Sequence, residues 1–303
     1  MAGSDNIHSN KQFQTTIDIS ICIVTHNCSQ ILIRCLKSLS NCSGVYNSEI
    51  IVVDNHSTDN TKYIMQKDYS NVQLIYNENN LGFAVGINQA IDVALGYYIL
   101  ILNPDTILSV DTISILADFL NNHPNTAICG PKIKNEDGTF QKSCRRGESR
   151  PWAVFSYLFG LDKLFPMRKV FNGYHLSYID ENIQTQVGGL SGACMMIRYN
   201  TINIIGKFDE QYFLYQEDSD ICLRALKNGW DINYIPKAEI IHTGGAGGTA
   251  SHYLLLLFHW HLSYFKLYRK HYSKDYNIMF NIIFYLIMAT KLLLTFATIP
   301  FRK

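Results

Sequence analysis

The chain has 303 residues, 47% of them hydrophobic and 17% charged, enough for one large core domain with or without an appendage. A formal net charge of +1 argues against a general electrostatic attraction to nucleic acid, so none is expected among its partners. Its eight cysteines form no CxxC pair and show no zinc-ligand spacing with histidine, which argues against a zinc module or a dithiol redox site.

Residues 1–16, "MAGSDNIHSNKQFQTT", read as a disordered tail. They are polar, unlike a signal peptide, so a reducing, cytosolic setting is expected for the bulk of the protein. Strands and helices then alternate. "DISICIVTH" (18–26) is a β-rich apolar run, and "SQILIRCLKSLS" (29–40) has helical spacing with Ser29 as candidate N-cap. "EIIVVDN" (49–55) predicts a second strand, and "STDNTKYIMQKD" (57–68) a helix that opens with capping chemistry. "VQLIYN" (72–77) is a third strand, "AVGINQAIDVAL" (84–95) a third helix, "YYILILNPD" (97–105) a fourth strand, and 110–122 a fourth helix. Cys28, Cys35 and Cys42 recur every seven residues and read as small core residues near one helix.

Residues 140–187 are less regular, aromatic and basic, and read as an insertion that shapes a substrate. Order returns over 187–198 and 206–245. The last part, 249–303, is apolar, aromatic and basic and predicts a membrane-associated helical region. Within it, 277–303 is long enough to cross a bilayer. Yet Asn277, Asn281, Tyr285, Lys291, Thr295, Thr298 and Arg302 share one arc at about 100° per residue. That pattern suits a helix lying in the membrane interface better than one crossing it.

The alternation predicts an α/β fold with a mostly parallel, Rossmann-like sheet and helices on both faces. Continuous aliphatic strands suit burial on both sides. Ligands bind such sheets at the carboxyl ends of the strands. Polar residues stand there: Thr25-His26-Asn27, Asp54-Asn55 and Asn103-Pro104-Asp105.

Four clusters are candidates for chemistry. Asp54 suits either the N–H groups of a pyrimidine base or a cap shared with Ser57 and Asp59. Pro104 ends its strand, leaving Asp105 either to cap the next element or to ligate Mg²⁺ alongside a diphosphate. "EDSDICLR" (217–224) crowds three carboxylates at a helix start, where the dipole favours them. Asp220 and Arg224 can pair across one turn. Glu217 and Asp218 follow an aromatic run that would bury them, and buried neighbouring carboxylates raise each other's pKa, as a general base requires. His242, before "TGGAGG", is either structural or a ligand that completes an octahedral metal site beneath a closing loop. No GxGxxG, GxxxxGK[ST] or GxSxG occurs, which disfavours a dinucleotide oxidoreductase, a P-loop enzyme and an α/β-hydrolase.

Taken in order, "ICIVTHN", "IIVVDNHSTDNT", "NENNLGFAVGINQAI", "YILILNPD", "GGLSGACMMIR" and "FDEQYFLYQEDSDICLRALKNGW" resemble family 2 glycosyltransferases of the GT-A fold over about residues 18–245. The version of the motifs resembles the rhamnosyltransferase branch of surface-polysaccharide synthesis. The resemblance implies a catalytic domain over 17–248. Thr25, Asn27 and Asp54 would hold base and ribose. Asn103 and Asp105 stand where the family has Asp-x-Asp, Asn103 departing from it, and Asp105 with His242 would bind Mg²⁺ or Mn²⁺. Asp218 would be the general base beside Glu217, and Gly189, Ser191 and Gly192 would shape the donor-sugar and acceptor site. The implied reaction is direct displacement with inversion. It would move a sugar, L-rhamnose from dTDP-rhamnose, from a nucleotide-sugar donor to a polyprenyl-diphosphate-linked saccharide acceptor. The implied setting is the cytoplasmic face of the inner membrane, with the membrane surface as a partner. A UDP-sugar donor (N-acetylglucosamine, galactose or glucose) and a non-catalytic binding module are the alternatives.

Overall fold

A computed structural model describes residues 17–42, 44–245 and 253–298. The tail expected over 1–16, the far part of the glycine loop, the start of the C-terminal region and residues 299–303 lie outside the described residues.

The first half alternates as its periodicity requires. It runs β1 (Ile19–Thr25), α1 (Ser29–Ser40), β2 (Ser48–Asp54), α2 (Thr61–Asp68), β3 (Gln73–Tyr76), α3 (Phe83–Val93), β4 (Tyr98–Leu102), β5 (Thr106–Leu108), α4 (Thr112–Asn122) and β6 (Thr126–Lys134). The aliphatic runs of β1 and β4 are buried at every position. In α1, Leu32, Cys35, Leu36 and Leu39 place one apolar stripe on the sheet.

Helix starts differ in detail from expectation. Ser29 is the first residue of α1, and Cys28 holds the cap position without a capping side-chain bond. The Ser29 N–H is instead taken by Asp59 Oδ2 at 3.0 Å. Helix α2 begins four residues later than its polar run, at Thr61. Asp59 Oδ1 accepts from the Thr61 N–H at 3.0 Å and its hydroxyl at 2.5 Å, so the capping residues form a turn before the helix.

The second half contains β7 (Arg145–Arg146), α5 (Pro151–Leu158), α6 (Leu161–Leu164), β8 (Thr185–Gln186), β9 (Gly189–Leu190) and β10 (Cys194–Arg198). It continues with α7 (Tyr199–Ile205), α8 (Glu217–Lys227), β11 (Asp231–His242), α9 (Tyr253–His271) and α10 (Ile278–Thr298). The main sheet runs β3-β2-β1-β4-β10-β6-β11-β5, with β8 beside β11. Strands β3, β2, β1 and β4 are mutually parallel, while β10 runs antiparallel to β4 and β6.

This topology gathers one edge of the sheet. Thr25 lies in register with Asp54, and Ile23 with Leu102, so β1, β2 and β4 end together. Because β10 is reversed, its start, Cys194, pairs with the end of β4, Leu102. The Ser191-Gly192 loop before β10 therefore arrives at the same edge. Beyond Asp105 the chain turns back as β5 and pairs antiparallel with β11, Thr106 opposite His242. That reversal joins residues 136 positions apart.

The C-terminal helices pack in a second apolar cluster with Val154, Tyr174, Tyr212 and Leu223. Asn281 and Lys291 of the α10 polar arc turn inward. Asn281 accepts from Tyr268 and donates to the Ser273 and Tyr276 carbonyls, while Lys291 Nζ lies 5.4 Å from the Phe159 ring centroid. Ile278, Met279, Ile282, Ile283, Leu286, Leu293 and Leu294 are exposed. Among the described residues, Ile278–Phe296 is the one helical stretch long and apolar enough to cross a membrane.

Candidate active site

The gathered strand ends open into a cavity of about 510 Å³. Thr25, Asn103, Asp105, Ser191, Gly192, Glu217, Asp218 and His242 line it together. Asn27, Asp54 and Gly189 do not. Asn27 Oδ1 accepts from the Thr58 N–H at 2.7 Å, and Asp54 Oδ1 accepts from the Ser57 N–H at 2.9 Å. Asn27 therefore ties the turn after β1 to the turn after β2, while Asp54 closes the turn that follows its own strand. Gly189 pairs with Arg146 in the small second sheet, behind the loop that reaches the cavity.

Asp218 sits in the first turn of α8, 8% exposed. Its Oδ2 accepts from Arg146 Nη2 at 2.7 Å and from the Gly192 N–H at 3.1 Å. Its Oδ1 accepts from the Ser219 N–H at 2.6 Å. These donors come from β7, the loop before β10 and α8 itself. The turn that delivers Asp218 is strained: Tyr215 and Gln216 both have φ of 67°, a left-handed conformation costly for residues with a Cβ.

Glu217 is buried, and among the described residues its Oε2 has no hydrogen-bond partner. Burial first, and then the Asp218 charge, push its carboxyl well above the ordinary carboxylate range. Two adjacent carboxyls thus differ in role, Asp218 paired with a cation and Glu217 poised to hold a proton.

Asp105 and His242 face each other, Oδ1 to Nε2 at 3.1 Å, both nearly buried. Asn103 Nδ2 is 3.4 Å from the same imidazole nitrogen. On the far side, His242 Nδ1 meets Gln141 Oε1 at 2.9 Å, while Gln141 Nε2 donates to Asn135 Oδ1 at 3.1 Å. That second bond turns the Gln141 carbonyl toward the ring, which places a proton on Nδ1 and leaves Nε2 its lone pair. A lone pair facing a carboxylate oxygen needs a proton or a cation between them. Cis ligands held at about 2.1 Å from a hard cation stand about 3 Å apart, so the observed spacing fits a shared divalent ion. Among the described residues no group of three or more His, Cys, Asp or Glu could hold a metal. The other ligands would come from substrate oxygens and water.

Arg146, Gln141, Tyr157, Tyr174, His175 and Trp260 also line the cavity and carried no sequence motif, whereas Phe213 and Tyr215, which line it too, belong to the aromatic run before Glu217. The adjacent arginines of "SCRRG" are the one available hint. Side chains alternate along a strand, so the two diverge. Arg145 is buried 4.7 Å from the Tyr234 ring centroid and donates to the Ile179 and Asp180 carbonyls, while Arg146 reaches Asp218. Gly188 enables this approach: a Cβ there would lie 2.2 Å from the Glu148 nitrogen.

A family model described as glycosyl transferase family 2 matches residues 20–201, more than half of the chain. The chain belongs to glycosyl transferase family 2. This transferase is 30% identical over 205 residues to N-acetylglucosaminyl-diphospho-decaprenol L-rhamnosyltransferase of Mycobacterium tuberculosis, over 64% of the chain. The match spans 66% of the mycobacterial protein, just under two thirds of its length. Rhamnosyltransferase WbbL of Escherichia coli is 25% identical over 254 residues, covering 80% of the chain and 89% of that protein. The fold is similar to that of the mannosyltransferase PcManGT from Pyrobaculum calidifontis, solved with GDP-Man and Mn²⁺ (TM-score 0.57, 15% identity, 85% of this chain and 66% of that one). It is also similar to GalNAc-T7, solved with UDP, GalNAc and Mn²⁺ (TM-score 0.56, 17% identity, 76% of this chain and 44% of that one).

Proposed function

We propose that this family 2 transferase moves L-rhamnose from dTDP-rhamnose to a polyprenyl-diphosphate-linked saccharide, with inversion at the anomeric carbon. The observation that carries the reading is one cavity holding a positioned carboxylate, Asp218, and a facing carboxylate–imidazole pair, Asp105 and His242. The Mycobacterium tuberculosis and Escherichia coli relatives are both rhamnosyltransferases, which supports the sugar, and the former supports the acceptor class.

In this reading Asp218 accepts the proton of the acceptor hydroxyl as that oxygen attacks the anomeric carbon and the nucleoside diphosphate leaves. Arg146, Gly192 and Ser219 hold its carboxylate in place. Positioning of this kind, with general-base catalysis, needs one carboxylate rather than two. Asp105 and His242 would hold a divalent cation, whose chemistry is to stabilise negative charge on the departing diphosphate. Thr25 and Asn103 line the donor side, and Asn27 and Asp54 brace the turns around it.

Residues 17–248 would form the catalytic domain and 249–303 a membrane-associated helical region at the cytoplasmic face of the inner membrane. The outward apolar face of α10 supports that placement. An acceptor carrying a polyprenyl chain has to be met at a bilayer surface.

The test is incubation of purified protein with Mn²⁺ or Mg²⁺, N-acetylglucosaminyl diphosphate on a polyprenyl chain, and a panel of nucleotide sugars. A single added rhamnose in inverted configuration from dTDP-rhamnose is the expected product. Transfer from UDP-N-acetylglucosamine, UDP-galactose or UDP-glucose instead would replace the donor. Binding without transfer across the panel would identify a non-catalytic module.

A further inference from the structure

One end of the cavity is walled by aromatic rings that the proton transfer and the Asp105–His242 pair leave unused. Tyr157 on α5, Tyr174 and His175 in the insertion, and Trp260 on α9 line the same cavity as Asp218. Tyr157 stacks on Tyr174 with centroids 5.0 Å apart and stands edge-on to His175 at 4.7 Å. Trp260 lies 6.4 Å from Tyr157, tilted by 57°.

These rings are held rather than mobile. Trp260 stacks on Tyr264 at 5.6 Å, and the buried Tyr264 hydroxyl donates to the Ser149 carbonyl at 3.0 Å. That contact locks α9 onto the segment leading into α5. Tyr174 is close enough to Arg146 and Asp218 to feel both charges, so the wall adjoins the site of proton transfer.

The wall's chemistry narrows its ligand. Burial first, then the charges of Arg146, Lys142 and Lys163, bring His175 down to about 4, so its ring is neutral at neutral pH. A surface of uncharged rings does not suit a nucleoside diphosphate. It does suit the C–H face of a sugar ring, with hydroxyls free at the edge to meet polar groups. Lys142 and Lys163 are near enough to lower the His175 pKa, and Asp162 Oδ2 lies 3.9 Å from its Nδ1, so this side of the wall carries charges of both signs. The Asp105–His242 pair already offers an environment for the donor's own diphosphate.

We propose that Tyr157, Tyr174 and Trp260 form the acceptor-saccharide subsite. The acceptor's sugar ring lies against Tyr157 and Trp260 with its reacting hydroxyl toward Asp218, and its lipid chain leaves along α9 toward the apolar face of α10. Helix α9 then supplies a substrate-binding residue as well as an anchor. This inference rests on the transferase reading given above.

The experiment compares wild type with Trp260→Ala, Tyr157→Ala and Trp260→Phe. The probe is N-acetylglucosaminyl diphosphate on a short polyprenyl chain, with whichever nucleotide sugar the wild type uses. Acceptor KM is read from initial rates, and donor Kd from calorimetry with Mn²⁺. Each alanine variant is expected to raise acceptor KM by about tenfold or more, with donor Kd unchanged. Trp260→Phe, which keeps a ring and is the milder change for folding, should stay within about threefold of wild type. Wild-type acceptor KM in both alanine variants overturns the subsite while leaving the transferase reading intact. A donor Kd that rises in step with acceptor KM also overturns it, since the cavity as a whole has then changed. A wild type that uses no nucleotide sugar on this probe overturns the transferase reading, and the subsite with it.

Discussion

Arg146 donates from Nη2 to Oδ2 of Asp218 over 2.7 Å, joining two residues 72 positions apart that are both nearly buried. Burial works against charge on the guanidinium, but Asp218, with smaller contributions from Tyr174 and Cys222, raises the Arg146 pKa overall. The carboxylate that would take a proton is thus paired and oriented before any substrate arrives. Asp218→Asn should lower turnover by about 10³-fold, within the range for loss of a general base, with donor Kd near wild type. Arg146→Ala leaves Asp218 buried without its cation and should cost about 3 kcal/mol of stability, readable as a fall in the urea midpoint. Wild-type turnover in Asp218→Asn would remove it from the mechanism.

Asp105 and His242 predict a metal dependence that can be measured on binding alone. Calorimetry of dTDP or UDP with Mn²⁺ and with chelator should show tighter binding with the ion. Asp105→Ala should reduce that difference by tenfold or more, at about 1.4 kcal/mol per tenfold. His242→Ala should reduce it less, since a diphosphate and water can fill one position of an oxygen-rich shell. An undiminished metal effect in Asp105→Ala would place the ion elsewhere.

Glu217 predicts a pH dependence of stability. Its folded carboxyl holds a proton toward about 8, against an ordinary value of 4.5, because of burial and then Asp218. Over that window the folded state binds the extra proton, so this contribution is full below about 4.5 and is lost as pH rises through about 8. Glu217→Gln removes the ionisation. The melting temperature of the variant relative to wild type should therefore increase from pH 6 to pH 9. A difference independent of pH would show that Glu217 is ionised throughout.

Asp220 holds the C-terminal helices to the helix that carries Asp218. Fully buried, it accepts from His271 Nε2 and Lys270 Nζ at 2.7 Å and from Arg224 Nε at 2.8 Å. Burial alone would raise its carboxyl, but His271, Arg224 and Lys270 bring it down to about 2. Its contribution is present above the ordinary carboxylate pKa and is lost as pH falls toward 2. Asp220→Ala should destabilise by about 3–5 kcal/mol, because it strands buried positive charge. Limited proteolysis should then cut first around α9. An unchanged melting temperature would deny the latch.

The outward face of α10 predicts membrane attachment. Ile282→Asp with Leu286→Asp changes two exposed positions, 53% and 62% accessible, and should leave folding intact. Sedimentation with vesicles of mixed neutral and anionic phospholipid should recover the wild type and lose the variant. Equal sedimentation of both would assign this face to something other than lipid.

Much of this arrangement was legible in order along the chain. Strands buried on both faces must be continuous aliphatic runs, so β1, β2 and β4 announced themselves, and with them the polar residues at their ends. Asp105 and Asp218 stood out because a proline stop and an aromatic run precede them. Asp54 and Asn27 were equally visible, yet their side chains serve the turns outside the cavity, a choice made by the distance between two loops. Arg146, Gln141 and the ring wall come from segments with no periodicity, where a single arginine or tyrosine has many equivalent uses.

The sequence by itself determined the α/β class, the polar edge of the sheet and the family motifs, because these depend on local spacing and on which runs can be buried. Only the tertiary structure decided which polar residues meet. Reversal of β10 brings Gly192 to Asp218, and the turn back after Asp105 brings His242 to it. It also turned Asn281 and Lys291 of α10 inward beside the buried Phe284 and Met288, and left Ile282, Ile283, Leu286, Leu293 and Leu294 outside. Contacts between residues more than 100 positions apart depend on sheet order, and no local pattern in a chain encodes that.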